Sequence, residues 1–220
     1  MQRCEHRQRF PARMQTALPE LPAEAFAKQD RSDDRLFYAP ARLVTHIDDP
    51  AIGALTAYYA QRLPQGGVVL DLMSSWVSHL PVDLVAREVI GHGMNARELA
   101  ANPRLDRWFA QDLNASPLLP LEDASIDAAL CCVSIQYLEQ PVAVLQDIRR
   151  VLRADAPFIV SFSNRCFPTK AVAIWRALDM AGQAALVRLY FERAGFGSIA
   201  ADVLRDGHAG DPLIVVSGRA

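Results

Sequence analysis

The chain has 220 residues, of which 51% are hydrophobic and 22% are charged. This length predicts one large domain, or one domain with an extension, whose core needs no disulfide or structural metal. The 23 basic and 25 acidic residues give a formal charge of -2, which argues against binding to nucleic acid or to an anionic membrane surface.

The basic residues are almost all arginine, with lysine only at Lys28 and Lys170, and alanine is abundant. This usage is typical of a GC-rich bacterial coding sequence. The cysteines show neither CxxC spacing nor a histidine at ligand spacing; they are Cys4, Cys131, Cys132 and Cys166. We therefore expect free thiols, no metal site and a reducing compartment, most simply the cytoplasm. In a strand, the adjacent Cys131 and Cys132 would face opposite sides.

The start of the chain is arginine-rich and is not followed by an apolar run, so we expect no secretory signal, and Met14 is an alternative start. The sequence has no run of about 18 apolar residues, so we expect no transmembrane helix. The polar, proline-punctuated residues 1–35 are predicted to be poorly ordered. A helical segment over 36–63 and an α/β domain over 64–220 are predicted to follow.

Helix and strand signals alternate along the second and third quarters of the chain. A helix begins at Asp49, which caps it, with Pro50 at its first position. Short apolar runs predict strands at 68–72, 88–92 and 108–111. A capping-box pattern from Asn95 to Glu98 opens another helix.

The same alternation continues to the end of the chain. Apolar runs predict strands at 126–133 and 158–162, and Pro141 opens a helix with strong apolar periodicity. Helices over 169–180 and 183–194 follow, the second ending at Gly195, and strands at 198–204 and 213–217 form a closing antiparallel hairpin. These elements predict a doubly wound, mainly parallel seven-stranded sheet with helices on both faces.

Ligands of such sheets bind beyond the carboxyl ends of the strands. The segments that follow the strands are polar here, and they are 71–79, 92–95, 111–114, 133–137 and 161–170. No GxGxxG follows the first strand, so a nicotinamide-dependent oxidoreductase is disfavoured.

Four motifs in this order resemble the class I S-adenosylmethionine-dependent methyltransferases, in particular the type 11 group. They are Val69-Leu70-Asp71-Leu72, Asp112-Leu113, Leu119-Pro120-Leu121 with Ser125-Ile126-Asp127-Ala128, and Arg150-Val151-Leu152-Arg153. The resemblance covers about residues 66–165. It implies a Rossmann-like fold over 64–220, S-adenosylmethionine as the cofactor, a small-molecule acceptor and an N-terminal helical lid over 36–63.

Two cofactor signatures of the family are rewritten in this chain. The glycine-rich loop is replaced by Met73 to His79, which gives a DLxSSWVSH pattern found in a subset of the family. The acid that usually ends the second strand and binds the ribose is replaced by the stretch Gly91 to Asn95.

The resemblance implies a set of cofactor-binding residues. Asp71 would lie near the methionine amine and Asp112 at the adenine amine, with serine hydroxyls and Trp76 shaping the loop. The full set is Asp71, Met73, Ser74, Ser75, Trp76, Met94, Asn95, Asp112, Leu113 and Val133. The alternatives are structural: a strand-end carboxylate at Asp71, a loop cap at Asp112, turn serines, and a helix cap at Asn95.

Substrate contacts are expected from the lid and from the loop after the fifth strand. The candidates are Tyr38, Arg42, His46, Asn164 and Arg165, with Arg165 suited to grip a carboxylate. Loop and helix-cap roles are the alternative for this set. His79 is a candidate base that could instead hold the loop, and Tyr137 is a candidate substrate contact that could instead be packing.

We therefore predict an S-adenosylmethionine-dependent methyltransferase acting on an unidentified small molecule, with no nucleic-acid or membrane partner and no predicted oligomeric state. The alternative is a non-catalytic protein on the same fold that binds a nucleoside or S-adenosylmethionine, or acts as a partner subunit. Whether the site still binds S-adenosylmethionine in the usual pose separates the two.

Overall fold

The computed structural model describes residues 18–220. Its centre is a seven-stranded sheet in the order β3-β2-β1-β4-β5-β7-β6. The strands are β1 (Val68–Leu72), β2 (Glu88–Gly93), β3 (Arg107–Ala110), β4 (Ala128–Cys132), β5 (Pro157–Phe162), β6 (Gly197–Arg205) and β7 (Leu213–Arg219). Strands β1 to β5 pair in parallel, and β7 runs antiparallel to both β5 and β6. The predicted doubly wound sheet with a closing hairpin is confirmed.

Within residues 18–220, six α-helices cover the sheet or precede it. They are α1 (Asp34–Tyr38), α2 (Asp49–Ala60), α3 (Ala96–Ala101), α4 (Pro141–Val151), α5 (Ala173–Ala177) and α6 (Met180–Ala194). The predicted cap of α2 is wrong by one residue, because Asp48 Oδ1 accepts the Ala51 N–H at 2.9 Å. The helix predicted over 169–180 is much shorter, since Leu178 is extended and Asp179 caps α6.

Alternate residues of β1 enter two apolar layers. Leu70 and Leu72 pack in the layer beneath α4 and α6, whereas Val69 packs in the layer beneath α2. Cys131 lies in the first layer and Cys132 contacts the second, as predicted for adjacent strand residues. Because both faces of the central strands β1 and β4 are buried, only the ends of these strands are left to form a site.

Residues 18–35 are packed, and for them the prediction of poor order is wrong. Leu18, Leu21 and Phe26 pack against the core, and Lys28 forms a backbone bridge to Val172. These contacts join residues far apart in sequence, so local composition gave no sign of them. Residues 1–17, which include Cys4 and Met14, lie outside the described residues.

Over residues 18–220, no helix combines the length and the apolar character that crossing a membrane requires. The same residues contain no group of three or more histidine, cysteine, aspartate or glutamate side chains placed to hold a metal ion.

Candidate functional site

A cavity lies at the carboxyl ends of the parallel strands, where the sequence predicted a ligand site. Residues 34–46, which precede α2, cover this cavity and are called the covering segment. Its lining comes from within segments 34–46, 71–79, 92–98, 111–114, 130–138 and 165–167, together with Tyr59 of α2.

Asp71 is a buried carboxylate at the end of β1, with 5% of its surface exposed. Its Oδ2 accepts hydrogen bonds from the hydroxyls of Ser74, at 2.7 Å, and of Ser78. No donor within residues 18–220 contacts Oδ1. Burial raises the pKa of Asp71, and the two hydroxyls partly oppose this. The cavity therefore has a carboxylate oxygen available for a ligand's donor or cation.

The loop 73–79 is held by side chains. Met73 adopts a left-handed φ of 54°, the conformation that the family's glycine would favour, and its N–H donates to His92 Nδ1 at 3.1 Å. The Ser74 N–H donates to the His92 carbonyl at 2.6 Å. Ser75 donates its hydroxyl to Glu98 Oε2 at 2.7 Å. The serines thus have turn-holding roles, and their predicted cofactor contacts stay predictions.

His92 is a site residue that the sequence analysis did not single out. Because its Nδ1 accepts the Met73 N–H, its Nε2 carries the proton and donates to the Gln111 carbonyl at 3.1 Å. Burial lowers the pKa of His92 to about 4, so it is neutral at pH 7. Both ring nitrogens are used, which makes His92 a support for the loop.

Gly93, beside His92, permits the close approach of that loop to β2. A Cβ at this position would lie 2.5 Å from the Ser74 carbonyl oxygen. We expect Gly93→Ala to lower the free energy of unfolding by about 2 kcal/mol, because the backbone must shift to relieve the overlap. Urea denaturation measures this.

Gly53→Ala is the matched control for that prediction. Gly53 is exposed in α2, and a Cβ there would meet nothing within 4 Å. This change should leave stability unaltered or raise it by up to about 1 kcal/mol. Equal free energies for the two variants would contradict the close approach at Gly93.

The Asn95 side chain caps α3 and also anchors the covering segment. Its Oδ1 accepts the N–H groups of Arg97 and Glu98, and its Nδ2 donates to the carbonyls of Tyr38 and Ala39 at 2.8 and 3.1 Å. The amide is fully used. The helix-cap alternative is therefore the one that the geometry favours.

Glu98 is a second site residue that the sequence analysis did not single out. In a capping box it would accept the Asn95 N–H, but its Oε1 accepts the Arg42 N–H at 2.6 Å and its Oε2 accepts the Ser75 hydroxyl. Glu98 thus joins the covering segment to the loop 73–79. The capping-box spacing was the only signal for it, and that spacing points to a local role.

Asp112, after β3, presents a second carboxylate to the cavity. Its Oδ1 accepts the Asn114 N–H at 2.9 Å, which is the loop-cap role. No donor within the described part of the chain contacts Oδ2. Asn114 fixes this loop from the other side, with Nδ2 donating to Asp34 at 3.2 Å and to the Tyr137 carbonyl at 3.0 Å.

The covering segment is held by stacking and by Trp76. The Arg42 guanidinium lies 4.6 Å from the ring centre of Phe37 and 5.3 Å from that of Phe167. The Trp76 indole N–H donates to the Val44 carbonyl at 2.9 Å. This side chain turns toward the covering segment and is absent from the cavity lining, so its position does not support the predicted cofactor contact.

The loop after β5 contributes Arg165 but not Asn164. Arg165 lines the cavity and pairs with Asp211 at 2.8 Å, so its charge is partly compensated. The exposed Asn164 is absent from the lining. The Tyr137 hydroxyl accepts the Phe167 N–H at 2.8 Å, and burial raises the pKa of Tyr137 to about 12. Tyr137 therefore packs against Phe167, which is the packing alternative, and its predicted substrate contact stays a prediction.

The structure brings most of the predicted residues to one cavity. Those that line it are Tyr38, Arg42, His46, Asp71, Met73, Ser74, Ser75, His79, Met94, Asn95, Asp112, Leu113, Val133, Tyr137 and Arg165. Tyr59 joins them from α2 with 1% of its surface exposed, and its hydroxyl has no hydrogen-bond partner within residues 18–220. An apolar helix face gave no sequence signal that this hydroxyl reaches the site.

Residues 65–160 match the family model described as "Methyltransferase domain". This part of the chain is a methyltransferase domain. The domain has S-adenosylmethionine as its cofactor, and the resemblance stated from the four motifs is confirmed. No relative was found among curated protein sequences.

Solved structures share the fold of this methyltransferase domain. A methyltransferase from Haloferax volcanii, solved with the Trm112 activator, has 15% identity and a TM-score of 0.59 over 78% of this chain and 91% of that chain. A SAM-dependent methyltransferase from Aquifex aeolicus has 16% identity and a TM-score of 0.56 over 86% and 98%. The cyclase SpnF has 16% identity and a TM-score of 0.55 over 82% and 87%. At these identities the likeness shows the fold alone.

Proposed function

We propose that the chain transfers a methyl group from S-adenosylmethionine to a small molecule bound in the covered cavity. One observation carries this proposal. Asp71, near the end of β1, and Asp112, after β3, both line this cavity, and each keeps one carboxylate oxygen without a donor among residues 18–220. The cofactor has a positively charged amine at one end and an adenine amine at the other, and both are hydrogen-bond donors.

The residues present fit the two ends of the cofactor better than its middle. Asp71 suits the methionine amine, and Asp112 suits the adenine amine, with Leu113 and Met94 offering an apolar wall. Among the described residues, each Glu98 oxygen and the Asn95 amide already bind groups of the protein, so neither side chain offers the ribose an unbonded oxygen. The Ser75 oxygen, which donates to Glu98 and can still accept, is the polar group left for a ribose hydroxyl.

When bound, S-adenosylmethionine supplies a methyl group that its positive sulfur already activates. The protein's task is to align the acceptor and to exclude water, which contributes several kcal/mol. Tyr38 and Arg42 of the covering segment and Arg165 of the loop after β5 line the cavity. Such a covered site favours a small acceptor over a polymer. Tyr38, Arg42, His46 and Arg165 remain our proposed substrate contacts, whereas Asn164 is not supported by its position.

Composition supports a bacterial cytoplasm as the location that we propose for this activity. The arginine-rich sequence is typical of a bacterial protein, and Cys131, Cys132 and Cys166 are free thiols, as expected in a reducing cytoplasm. The nearly balanced charge supports a small-molecule partner over nucleic acid.

The alternative, a binding protein without methyl transfer, is favoured by the ribose position. Glu98 and Asn95 are committed to holding the covering segment, and the family's loop glycines are replaced. A shared fold does not fix the reaction. The structural neighbour SpnF, a cyclase, has the same fold.

Calorimetry with S-adenosylmethionine and S-adenosylhomocysteine tests the proposal. We expect micromolar binding by the parent chain. Asp71→Asn and Asp112→Asn should each weaken it about 10-fold, since each replaces a charged acceptor by a neutral amide. Asp155→Asn is the matched control, because its side chain is 86% exposed and lies outside the cavity lining.

Two outcomes would count against the proposal. If the folded parent bound neither compound, the alternative function would replace it. If the parent bound but both variants bound equally well, the two carboxylates would be structural and the cofactor would lie elsewhere.

A further inference from the structure

Two histidines of the cavity have ring nitrogens without partners. His46 belongs to the covering segment and His79 ends the loop 73–79, and both line the cavity. Within residues 18–220, no ring nitrogen of either makes a hydrogen bond, and only the His79 carbonyl is bonded, by the Thr56 hydroxyl at 3.0 Å. His92, in contrast, uses both ring nitrogens. The pair therefore faces the ligand space with its polar atoms free.

The surroundings of the pair keep it neutral. The His46 ring packs edge-on against Phe167, with ring centres 5.6 Å apart. Burial lowers the pKa of His46; Glu98 opposes this, and Arg42 adds to it. Burial also lowers the pKa of His79, and the neighbouring His46 lowers it further.

Arg165, paired with Asp211, is another charged group of the same cavity, on the loop after β5. Since the pKa of each histidine is lowered from its ordinary value, the free-base form of both imidazoles is favoured at pH 7.

We propose that His46 and His79 are the groups that accept the proton of the methyl acceptor, so the acceptor carries a hydroxyl or an N–H group. This inference rests on the proposed methyl transfer. The acceptor's oxygen or nitrogen forms a bond to the methyl carbon, and the bond from that carbon to the donor sulfur breaks with its electron pair left on sulfur. The acceptor's proton moves to an imidazole ring nitrogen and then to water.

The two histidines come from different elements, so both are present in the site only when the covering segment is in place. His79 lies on the loop 73–79, whereas His46 arrives only with the covering segment, which Asn95 and Glu98 tie in place. A thioether or a tertiary amine loses no proton on methylation and needs no base. The histidine pair therefore predicts which acceptors the site serves.

The first test follows the imidazoles themselves, without cofactor. In the full chain labelled with ¹⁵N-histidine, NMR titration should show His46 and His79 neutral at pH 7 with pKa values below 6.5. His46→Gln should raise the pKa of His79, because it removes a neighbour whose positive charge, once protonated at lower pH, lowers that pKa. His92, neutral down to about pH 4, is the internal reference. Charged imidazole rings at pH 7, or a His79 titration unchanged by His46→Gln, would contradict the proposed role of the two histidines as neutral, neighbouring bases.

The second test measures labelled methyl transfer to two sets of small molecules, phenols and N–H amines against tertiary amines and thioethers. We expect transfer to the first set. His46→Gln and His79→Gln should each lower kcat/KM about 10-fold at pH 7, and the double variant roughly 100-fold. The loss should shrink at pH 10, where about half of a simple phenol is ionised without a base. His208→Gln, whose side chain is 90% exposed and outside the cavity lining, is the control.

Calorimetry on the same variants separates the two proposals. Unchanged S-adenosylmethionine affinity with reduced transfer supports the histidine pair. Three outcomes would overturn the proposed role of the histidine pair and leave the cofactor site intact. They are full transfer by the double variant, transfer to thioethers or tertiary amines alone, and cofactor binding with no transfer to any phenol or N–H amine. Loss of cofactor binding by the parent would instead overturn the proposed function.

Discussion

Lys170→Met is expected to lower the free energy of unfolding by about 3–5 kcal/mol. The side chain of Lys170 is fully buried, and its Nζ lies 3.0 Å from Asp34 Oδ1, 3.1 Å from Asp30 Oδ2 and 2.8 Å from the Ser32 carbonyl. Methionine keeps most of the volume but leaves the buried Asp34 carboxylate with Lys28 as its one remaining charged partner among the described residues. Stability is lost because the buried negative charge of Asp34 is then only partly compensated.

The pH dependence of this cluster has a defined sign. Burial favours the neutral amine and lowers the pKa of Lys170, but hydrogen bonds and charges from Asp34 and Asp30 outweigh it and leave the pKa above 10.5. A pKa raised on folding contributes stability at lower pH. The contribution of Lys170 is therefore complete at pH 7 and is lost only as the pH rises through the raised folded-state pKa.

Urea denaturation measures the loss, with Arg35→Met as the control. Arg35 pairs with Asp33 on the surface, where its side chain is 76% exposed, so its removal should cost less than about 1 kcal/mol. Limited proteolysis adds a local readout, because the cluster fixes residues 28–34 beside the cavity. If Lys170→Met lost no more than the control, the cluster would not hold this segment.

The sheet could be predicted from sequence because its signals are local. The run Val68 to Leu72 is apolar, β-branched and bounded by turn residues, and it forms β1 as predicted. Asp71 follows from the same reasoning, since the end of a parallel strand is where ligands bind. The order of the four motifs then identified the domain.

The remaining parts of the site depend on contacts between residues far apart in sequence. Lys170 meets residues 138 and 140 positions away, and Glu98 meets Arg42 at a separation of 56. No periodicity or motif records such pairs, so residues 18–35 read as disordered and Glu98 as a cap. Trp76 was assigned to the cavity from its place in the loop, but the direction of its side chain is set by the Val44 carbonyl.

Asp147→Ala should also lower the free energy of unfolding by about 3–5 kcal/mol. Asp147 of α4 has 4% of its surface exposed, and it accepts the Leu119 N–H at 2.7 Å and the Arg150 Nε–H at 2.6 Å. Arg150 in turn donates to the carbonyls of Leu119 and Leu121 at 3.1 and 2.9 Å. Two of the motifs recognised in the sequence are thus joined by one buried carboxylate.

The matched control for this change is Asp123→Ala, which removes a second carboxylate from the same arginine. Asp123 contacts Arg150 at 2.6 Å, but its side chain is 78% exposed, so the loss should stay below about 1 kcal/mol. Equal losses in urea denaturation would contradict a special role for Asp147. Because Leu119 follows the loop that carries Asp112, we also expect Asp147→Ala, and not Asp123→Ala, to weaken S-adenosylhomocysteine binding in calorimetry.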